Sequence, residues 1–588
     1  MTRDRTEDKR GVTRRQVLAG AGAMTVSLGA ITLQSRTAEA AVEWDHDTDI
    51  LVVGSGAAGC AAAVTAQQNG DRVMVVEKAP ITGGTAAKSA GVLWIPDNFT
   101  LRERGIEDSK DDCMRYMVRF SYPQRFNPSA DTLGVSESEY RLLEAFYDNG
   151  SKAIDGLRAD GDLRLGEWRM FALDRPATDY LDNVPENKVP AGRALGPLKA
   201  DGSMGLGAEL MTQFRTALER RKVPILTGHR AAQLIRNPDG RVIGLECEAA
   251  GKRVSIRARK GVIFGSGGYA HNTEFVDSYQ PGMGLLGSCA MPWSTGDFID
   301  IAGAAGARMG DLSTAWRTQV VLEETLVART LAAGVFFPPG DSMLQVNRYG
   351  LRVVNEKRNY NDRTEAHGYY DSTFAEFPNR LLFMVYDQRS AEGFAGAYPF
   401  PTDPAGSRWV LSGQTLGELS SRIEARLAEI KERTGGLSLS PAFSENLAQT
   451  IERFNAFAQA GDDKEFGRGK AAYDSEWHLV FSPMAAGTSQ PSNPYPSVTM
   501  HPFSAKGPYH AIILAAGALD TSGGPAIDAG ARVLDTTGAP IPGLYGAGNC
   551  IASPSGEAYY GAGHTLGLAA VFGYIAANAA HQETGGDA

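Results

Sequence analysis

Residues 50–53 form an unbroken apolar run, Ile-Leu-Val-Val, with Asp49 before it and Gly54 after it. A short β-branched run without polar alternation, stopped by glycine, predicts a strand buried on both faces of a parallel sheet. Six residues later the pattern changes period. Residues 60–69 are small and mostly apolar, as in a buried helix, and Gly70 ends them. A second apolar run, 72–76, ends at Glu77. Further on, residues 112–162 read mainly as helix, with an amphipathic stretch at 140–157, and another helix is predicted over 207–220. Residues 223–226 predict a strand. Two more, 231–235 and 242–248, face each other across Asp239-Gly240, a hairpin signal. Residues 260–268 predict a strand with a glycine-rich end, and 295–307 a helix of small residues.

From about Trp316 the pattern shifts to aromatics and long helices such as 416–433, with few glycine loops, and this holds to about residue 507. Glycine-rich segments then return at 519–524, 543–549 and 561–567. The expected organisation is therefore α/β: residues 41–315 and 508–588 form one nucleotide-type domain, split by an inserted domain over 316–507. The first forty residues stand apart. Arg14-Arg15 sits in a basic segment, 17–33 is only weakly apolar, and Ala38-Glu39-Ala40 offers a small-x-small cleavage site. This resembles a twin-arginine export signal and implies a cleaved leader and a periplasmic or extracytoplasmic location. The segment is too short and polar to span a bilayer. Residues 583–588 are expected to be disordered.

Composition narrows the classes. The net charge of −10 over 588 residues supplies no cationic excess for nucleic acid. Hydrophobic content of 43% and charged content of 21% suit a soluble globular enzyme of this length. Cys60, Cys113, Cys247, Cys289 and Cys550 have neither metal nor redox spacing, so no disulfide framework, iron–sulfur cluster, haem or other metal site is expected. Onward electron transfer then requires a separate acceptor, a quinone or other carrier.

The candidate chemistry begins at Gly54-Ser55-Gly56-Ala57-Ala58-Gly59. Strand, glycine turn, helix, strand and acid follow in the order a dinucleotide site needs. Gly54 permits the turn, Gly56 admits the pyrophosphate, and Gly59 lets helix and strand approach. The helix start, with Ala57 and Ala58, presents free N–H groups to phosphate. Glu77, 18 residues past Gly59, can accept from ribose hydroxyls.

The following loop, Lys78 through Gly83-Gly84-Thr85 to Ser89-Ala90-Gly91, resembles that of the fumarate reductase/ketosteroid dehydrogenase flavoprotein superfamily. Three more stretches resemble 3-ketosteroid dehydrogenases specifically. They are Val346-Asn347 to Asn355-Glu356 with Tyr360 after it, Phe466-Gly467-Arg468-Gly469, and Gly556-Glu557-Ala558-Tyr559-Tyr560-Gly561-Ala562-Gly563. The resemblance implies a Rossmann-type FAD-binding domain with a mostly parallel, three-layer sheet, and an α+β substrate cap. It implies FAD contacts at Lys78, Gly83, Gly84, Thr85, Ser89 and Gly91, and also at Ala231, Gly267, Gly548, Asn549, Thr565 and Leu566. No histidine lies in the 83–91 loop, so the FAD is expected to be non-covalent. It also implies roles: Tyr360 as the base, Tyr180 assisting it, and Tyr559 with the Gly563 N–H binding a ketone oxygen. Tyr560 is the alternative to Tyr559, and His564 is either a structural histidine or a substrate contact. The implied reaction is α,β-desaturation of a small apolar cyclic ketone, a 3-ketosteroid first. The rival is an exported fumarate- or urocanate-type reductase, disfavoured because residues 561–565 hold no arginine. A non-catalytic flavin carrier would not need so large a cap.

Overall fold

The strand His46–Val53 lies between Val73–Glu77 and Lys252–Phe264 and runs parallel to both. Ile225–Thr227 and Pro540–Gly546 extend the sheet outward, again in parallel. Ile50, Leu51 and Val52 are fully buried, which explains why this run carries no polar alternation. A hairpin, His229–Arg236 with Val242–Ala249, joins antiparallel to the first half of Lys252–Phe264. That strand begins eight residues before the sequence reading placed it, because its first half alternates between exposed and buried positions and only its second half is a solid apolar run. The sheet is mixed at its margins and parallel at its centre, the Rossmann-type arrangement. This computed structural model describes residues 42–170, 174–480 and 490–584, all within one unit, Ser35–Ala588. The basic N-terminal segment and its cleavage site lie outside the described residues.

The second sheet is organised on the strand Tyr509–Thr521. Ala315–Val321, Leu381–Asp387 and Leu411–Gly413 pair with it antiparallel, Gly287–Ser288 pairs parallel, and Met343–Val346 follows Leu381–Asp387. The sequence reading put residues 509–521 with the returning nucleotide segment; they are instead the spine of the cap sheet. The Ala-Gly composition at 515–518 marks close strand packing rather than a nucleotide loop, since a Cβ on Gly517 would lie 2.5 Å from a Val320 methyl. A third small sheet pairs Leu93–Trp94 and Leu165–Glu167 with Ala194–Pro197.

The helices follow their signals closely. Glu137–Ala159 starts at a capping box, Ser136 with Glu139. Leu416–Glu429 stops short of the expected 433, and Lys431–Thr434 forms a separate turn ended by Gly435 in the left-handed region. The C-terminal helix His564–His581 packs on Ala57–Gln68, and a Cβ on Gly573 would fall 2.4 Å from the Ala58 carbonyl oxygen. Glu583, expected to be disordered, accepts from Arg241 at 2.8 Å and Tyr545 at 3.1 Å. Residues 585–588 lie outside the described residues.

The tightest contact in the first sheet is at Gly59, where a Cβ would lie 1.9 Å from the Gly54 carbonyl oxygen. Gly59→Ala must push the helix off the strand, and we expect it to cost on the order of 1–3 kcal/mol. A thermal melt should show a lower midpoint together with reduced retention of bound nucleotide; an unchanged midpoint would contradict the contact.

Candidate active site

The glycine turn opens onto a cavity of about 770 Å³ that runs from the first sheet into the cap. Gly56 caps the helix Ala57–Gln68 without a side-chain partner, and among the described residues no acceptor takes the N–H groups of Ala57 or Ala58. These donors line the cavity, and a Cβ on Gly56 would meet nothing within 4 Å. The open space is where a pyrophosphate can approach the backbone. Gly54 borders the same space, while Gly59 faces the strand behind it.

Glu77 is buried in this turn. Its carboxylate accepts from Ser55 N at 2.9 Å, Ser55 Oγ at 2.8 Å and Ala79 N at 2.8 Å. Ser55 also accepts from Gly83 N at 3.0 Å, so one hydroxyl ties the first glycine turn to both the acid and the second glycine loop. The sequence reading treated Ser55 as a spacer. Gly83 makes this tie and does not line the cavity, whereas Gly84, Thr85, Ser89 and Gly91 do. Lys78 lines it too, its ammonium held by Thr295 Oγ1 at 2.6 Å and Asp297 Oδ2 at 2.9 Å. Ala231, Gly267, Gly548, Asn549, Thr565 and Leu566 also line the cavity. Asp520, missed in the sequence, is buried there. It accepts from Gly268 N at 3.0 Å and Ser294 Oγ at 2.8 Å, and burial raises its pKa. Its only sequence signal was its place in a glycine-rich run.

The cap end of the cavity is aromatic. Tyr360 opens the short helix Tyr360–Thr364, capped by Asn359, whose side chain accepts from Asp362 N at 3.0 Å. The Tyr180 hydroxyl donates to the Tyr360 hydroxyl at 3.0 Å. The Tyr559 ring stacks on Tyr180 with centroids 5.2 Å apart and meets Tyr360 edge-on at 5.4 Å. Trp316, Phe336, Phe337 and Trp477 wall this end, none of them singled out as site residues in the sequence. Gly563 lies beside the tyrosines with φ +90, where a Cβ would strike Val92 at 2.4 Å, so only glycine fits. Among the described residues no acceptor takes its N–H.

Burial pushes the Tyr180 and Tyr360 phenols well above their usual value, and raises Tyr559 as well. Each hydroxyl is therefore protonated at neutral pH in this state. Arg358 does not reach the tyrosine hydroxyls: its guanidinium donates to the Tyr180 carbonyl at 2.5 Å and pairs with Asp182 and Asp474. Tyr180 is held from below as well. Its N–H donates to the Tyr560 carbonyl at 2.9 Å. The preceding Asp179 is buried with Arg193, which also binds Asp108 through two bonds of 2.7 and 2.8 Å.

Two sequence alternatives resolve here. Tyr560 is fully buried outside the cavity, with its hydroxyl 2.6 Å from Ser121 Oγ. It packs against Trp94 and does not line the cavity. His564 is also fully buried off the cavity wall, with Nε2 2.8 Å from Ser555 Oγ, and burial lowers its pKa to about 3. It is a neutral structural histidine.

Known proteins decide the class. The family described as FAD binding domain matches residues 49–566. The chain belongs to this FAD-binding family. Over 90% of its length it is 31% identical to 4-oxocyclohexanecarboxylate 2-dehydrogenase of Sinomonas cyclohexanicum, covering 92% of that protein. It is equally 31% identical, over 90% of its length and 97% of the relative, to 3-oxosteroid 1-dehydrogenase of Mycolicibacterium smegmatis. Among solved structures, the 3-ketosteroid delta1-dehydrogenase of Sterolibacterium denitrificans, in complex with 1,4-androstadiene-3,17-dione, superposes with a TM-score of 0.72 and 26% identity, covering 91% and 99% of the two chains. The flavoprotein's cofactor is FAD, and the cradle fits it: the open space at Gly56 and the free N–H groups of Ala57 and Ala58 could take its pyrophosphate, and Glu77 and Lys78 line the same cavity. Among the described residues no helix is long and apolar enough to cross a membrane, and no group of three or more His, Cys, Asp or Glu side chains could hold a metal ion.

Proposed function

We propose that this FAD-binding dehydrogenase desaturates the α,β bond of a cyclic ketone, with 3-ketosteroids the first substrate class to test. The observation that carries the reading is the convergence of Tyr180, Tyr360, Tyr559 and the free Gly563 N–H on one apolar cavity end. The names of the most similar relatives, acting on oxocyclohexane and oxosteroid rings, support it. Among the described residues no arginine lines the cavity, which weighs against a small dicarboxylate as substrate.

In this reading the ketone oxygen sits between the Tyr559 hydroxyl and the Gly563 N–H, and both donors strengthen as negative charge develops there. Tyr360 takes the α-proton, and Tyr180 stabilises the phenolate that does so. Burial works for the donor and against the base: it keeps Tyr559 protonated while making the Tyr360 phenolate scarce. FAD, when bound, supplies the acceptor for the hydride leaving the β-carbon. The aromatic walls exclude water and hold the apolar ring.

Anaerobic mixing with a panel of cyclic ketones should bleach the flavin once per chain and stop until a quinone or another separate acceptor is added. Tyr360→Phe should slow bleaching on the order of 10²–10⁴-fold, and Tyr559→Phe roughly 10²–10³-fold, while both still bind the enone product. Because the Tyr360 pKa is raised, the phenolate fraction and the bleaching rate should climb with pH through the neutral and alkaline range. That climb should vanish in Tyr360→Phe. A wild-type-like rate in Tyr360→Phe would overturn the base; reduction of fumarate or urocanate without ketone bleaching would overturn the reaction.

The FAD is proposed to be held without a covalent bond, since Gly83 to Gly91 contains no histidine. Acid precipitation should release all the yellow colour to the supernatant, and colour in the pellet would refute this. Export by the twin-arginine route is proposed from Arg14-Arg15. Replacing both arginines by lysine should leave the precursor in the cytoplasm; mature protein still crossing the membrane would refute it.

A further inference from the structure

The base and the oxygen donors come from segments about two hundred residues apart, and something must fix one against the other. Tyr360 opens a helix of only five residues. Tyr559 and Gly563 lie in the loop that leads into the C-terminal helix. Asn361 bridges them. Its Oδ1 accepts from Arg317 N at 2.9 Å, and its Nδ2 donates to the Glu557 carbonyl at 2.9 Å. Asn361 is 2% exposed, so water cannot replace these partners at no cost.

Arg317 N is available for a reason. The ladder between Ala315–Val321 and Tyr509–Thr521 shifts register between Trp316 and Arg317, and such an irregularity frees a backbone group from the ladder. Trp316, just before the shift, packs edge-on against Tyr559 at 5.7 Å. One amide side chain thus closes a triangle of cap strand, Tyr360 helix and Tyr559 loop. An asparagine is required because the corner needs one acceptor and one donor on the same planar group.

We infer that Asn361 is a positioning residue for the reaction proposed above: it sets the Tyr360 hydroxyl against the ketone-oxygen donors without touching the substrate. The charged groups facing position 361 are the Arg317 guanidinium, which lies 2.7 Å from Glu365 and 3.8 Å from Glu557, and the neighbouring Asp362, whose Oδ1 is 3.4 Å from Nδ2. All three carboxylates disfavour a further negative charge there.

The test uses the full FAD-loaded protein. In Asn361→Ala, backbone hydrogen exchange at residues 360–364 and 556–563 should accelerate about tenfold or more, as expected where a local tie is lost. Exchange in the first sheet, and the FAD content, should not change. The kcat for flavin reduction by the ketone should fall about 10–100-fold through misalignment, with KM changed less than about threefold. Asn361→Asp adds a readout that a merely structural role would not give. A protonated carboxyl can both accept from Arg317 N and donate to the Glu557 carbonyl, whereas the ionised form repels that carbonyl. Its rate relative to wild type should therefore fall as pH rises, and recover on acidification. Unchanged exchange in Asn361→Ala overturns the bridge, even if no ketone reduces the wild type and the reaction reading fails separately. Loosened exchange with wild-type kcat, or an Asn361→Asp ratio flat with pH, overturns the positioning role. If Asn361→Ala does not fold, the Asn361→Asp exchange and pH series decide alone.

Discussion

Three glycines from distant parts of the chain, with Gly54 from the turn itself, crowd one turn of helix at Ala58 and Gly59. A Cβ on Gly59 would sit 1.9 Å from Gly54 O, on Gly265 2.7 Å from Gly59 N, on Gly573 2.4 Å from Ala58 O, and on Gly548 3.2 Å from the Ala58 Cβ. The missing methyl groups bring two strands, the C-terminal helix and a loop to within backbone contact of the helix start. That contact sets where the free N–H groups of Ala57 and Ala58 point, and so where the dinucleotide lies. It also sets the cavity: the same C-terminal helix that packs here begins at Gly563, beside the tyrosines. Cofactor placement and the placement of the tyrosine end of the cavity are two ends of one packing constraint.

The aromatic end obeys a different rule. Three phenols share a pocket from which cations are kept away, Arg358 being engaged by Asp182, Asp474 and a carbonyl. A neutral, dry pocket suits an apolar ring and strengthens donors aimed at a developing oxyanion, because there is little solvent to screen them. Its cost would fall on the group proposed to lose a proton. Tyr180, the more deeply buried of the pair, donates to Tyr360, and burial raises the pKa of both.

How much of this could be read from sequence follows from how local each feature is. The strand–turn–helix–strand unit at 46–77 was legible because its period, its glycines and its acid all lie within thirty-odd residues. Tyr360 and Tyr559 were found through flanking motifs, and the structure brings both, with Tyr180, to one end of the cavity. Tyr560 against Tyr559 could not be decided in sequence, since adjacent residues differ only in which way the chain turns; the structure sends one to the cavity and the other toward Ser121. The spine strand 509–521 was misplaced because Ala and Gly serve close sheet packing and phosphate approach alike. Ser55 and Asn361 left no signal, and Asp520 only its place in a glycine-rich run, as each acts through hydrogen bonds to partners that only folding brings near.

The first sheet also carries a consequence for the order of synthesis. Its central strand begins at residue 46, yet one neighbour arrives only at 252–264 and the strand beyond that at 540–546, and the helix covering the nucleotide turn ends at 581. Until residues 540–581 have been made, the cradle lacks a strand, the loop holding Asn549, and the helix that seats Gly563. Completion of the FAD cradle therefore waits on the meeting of two segments separated by the whole cap.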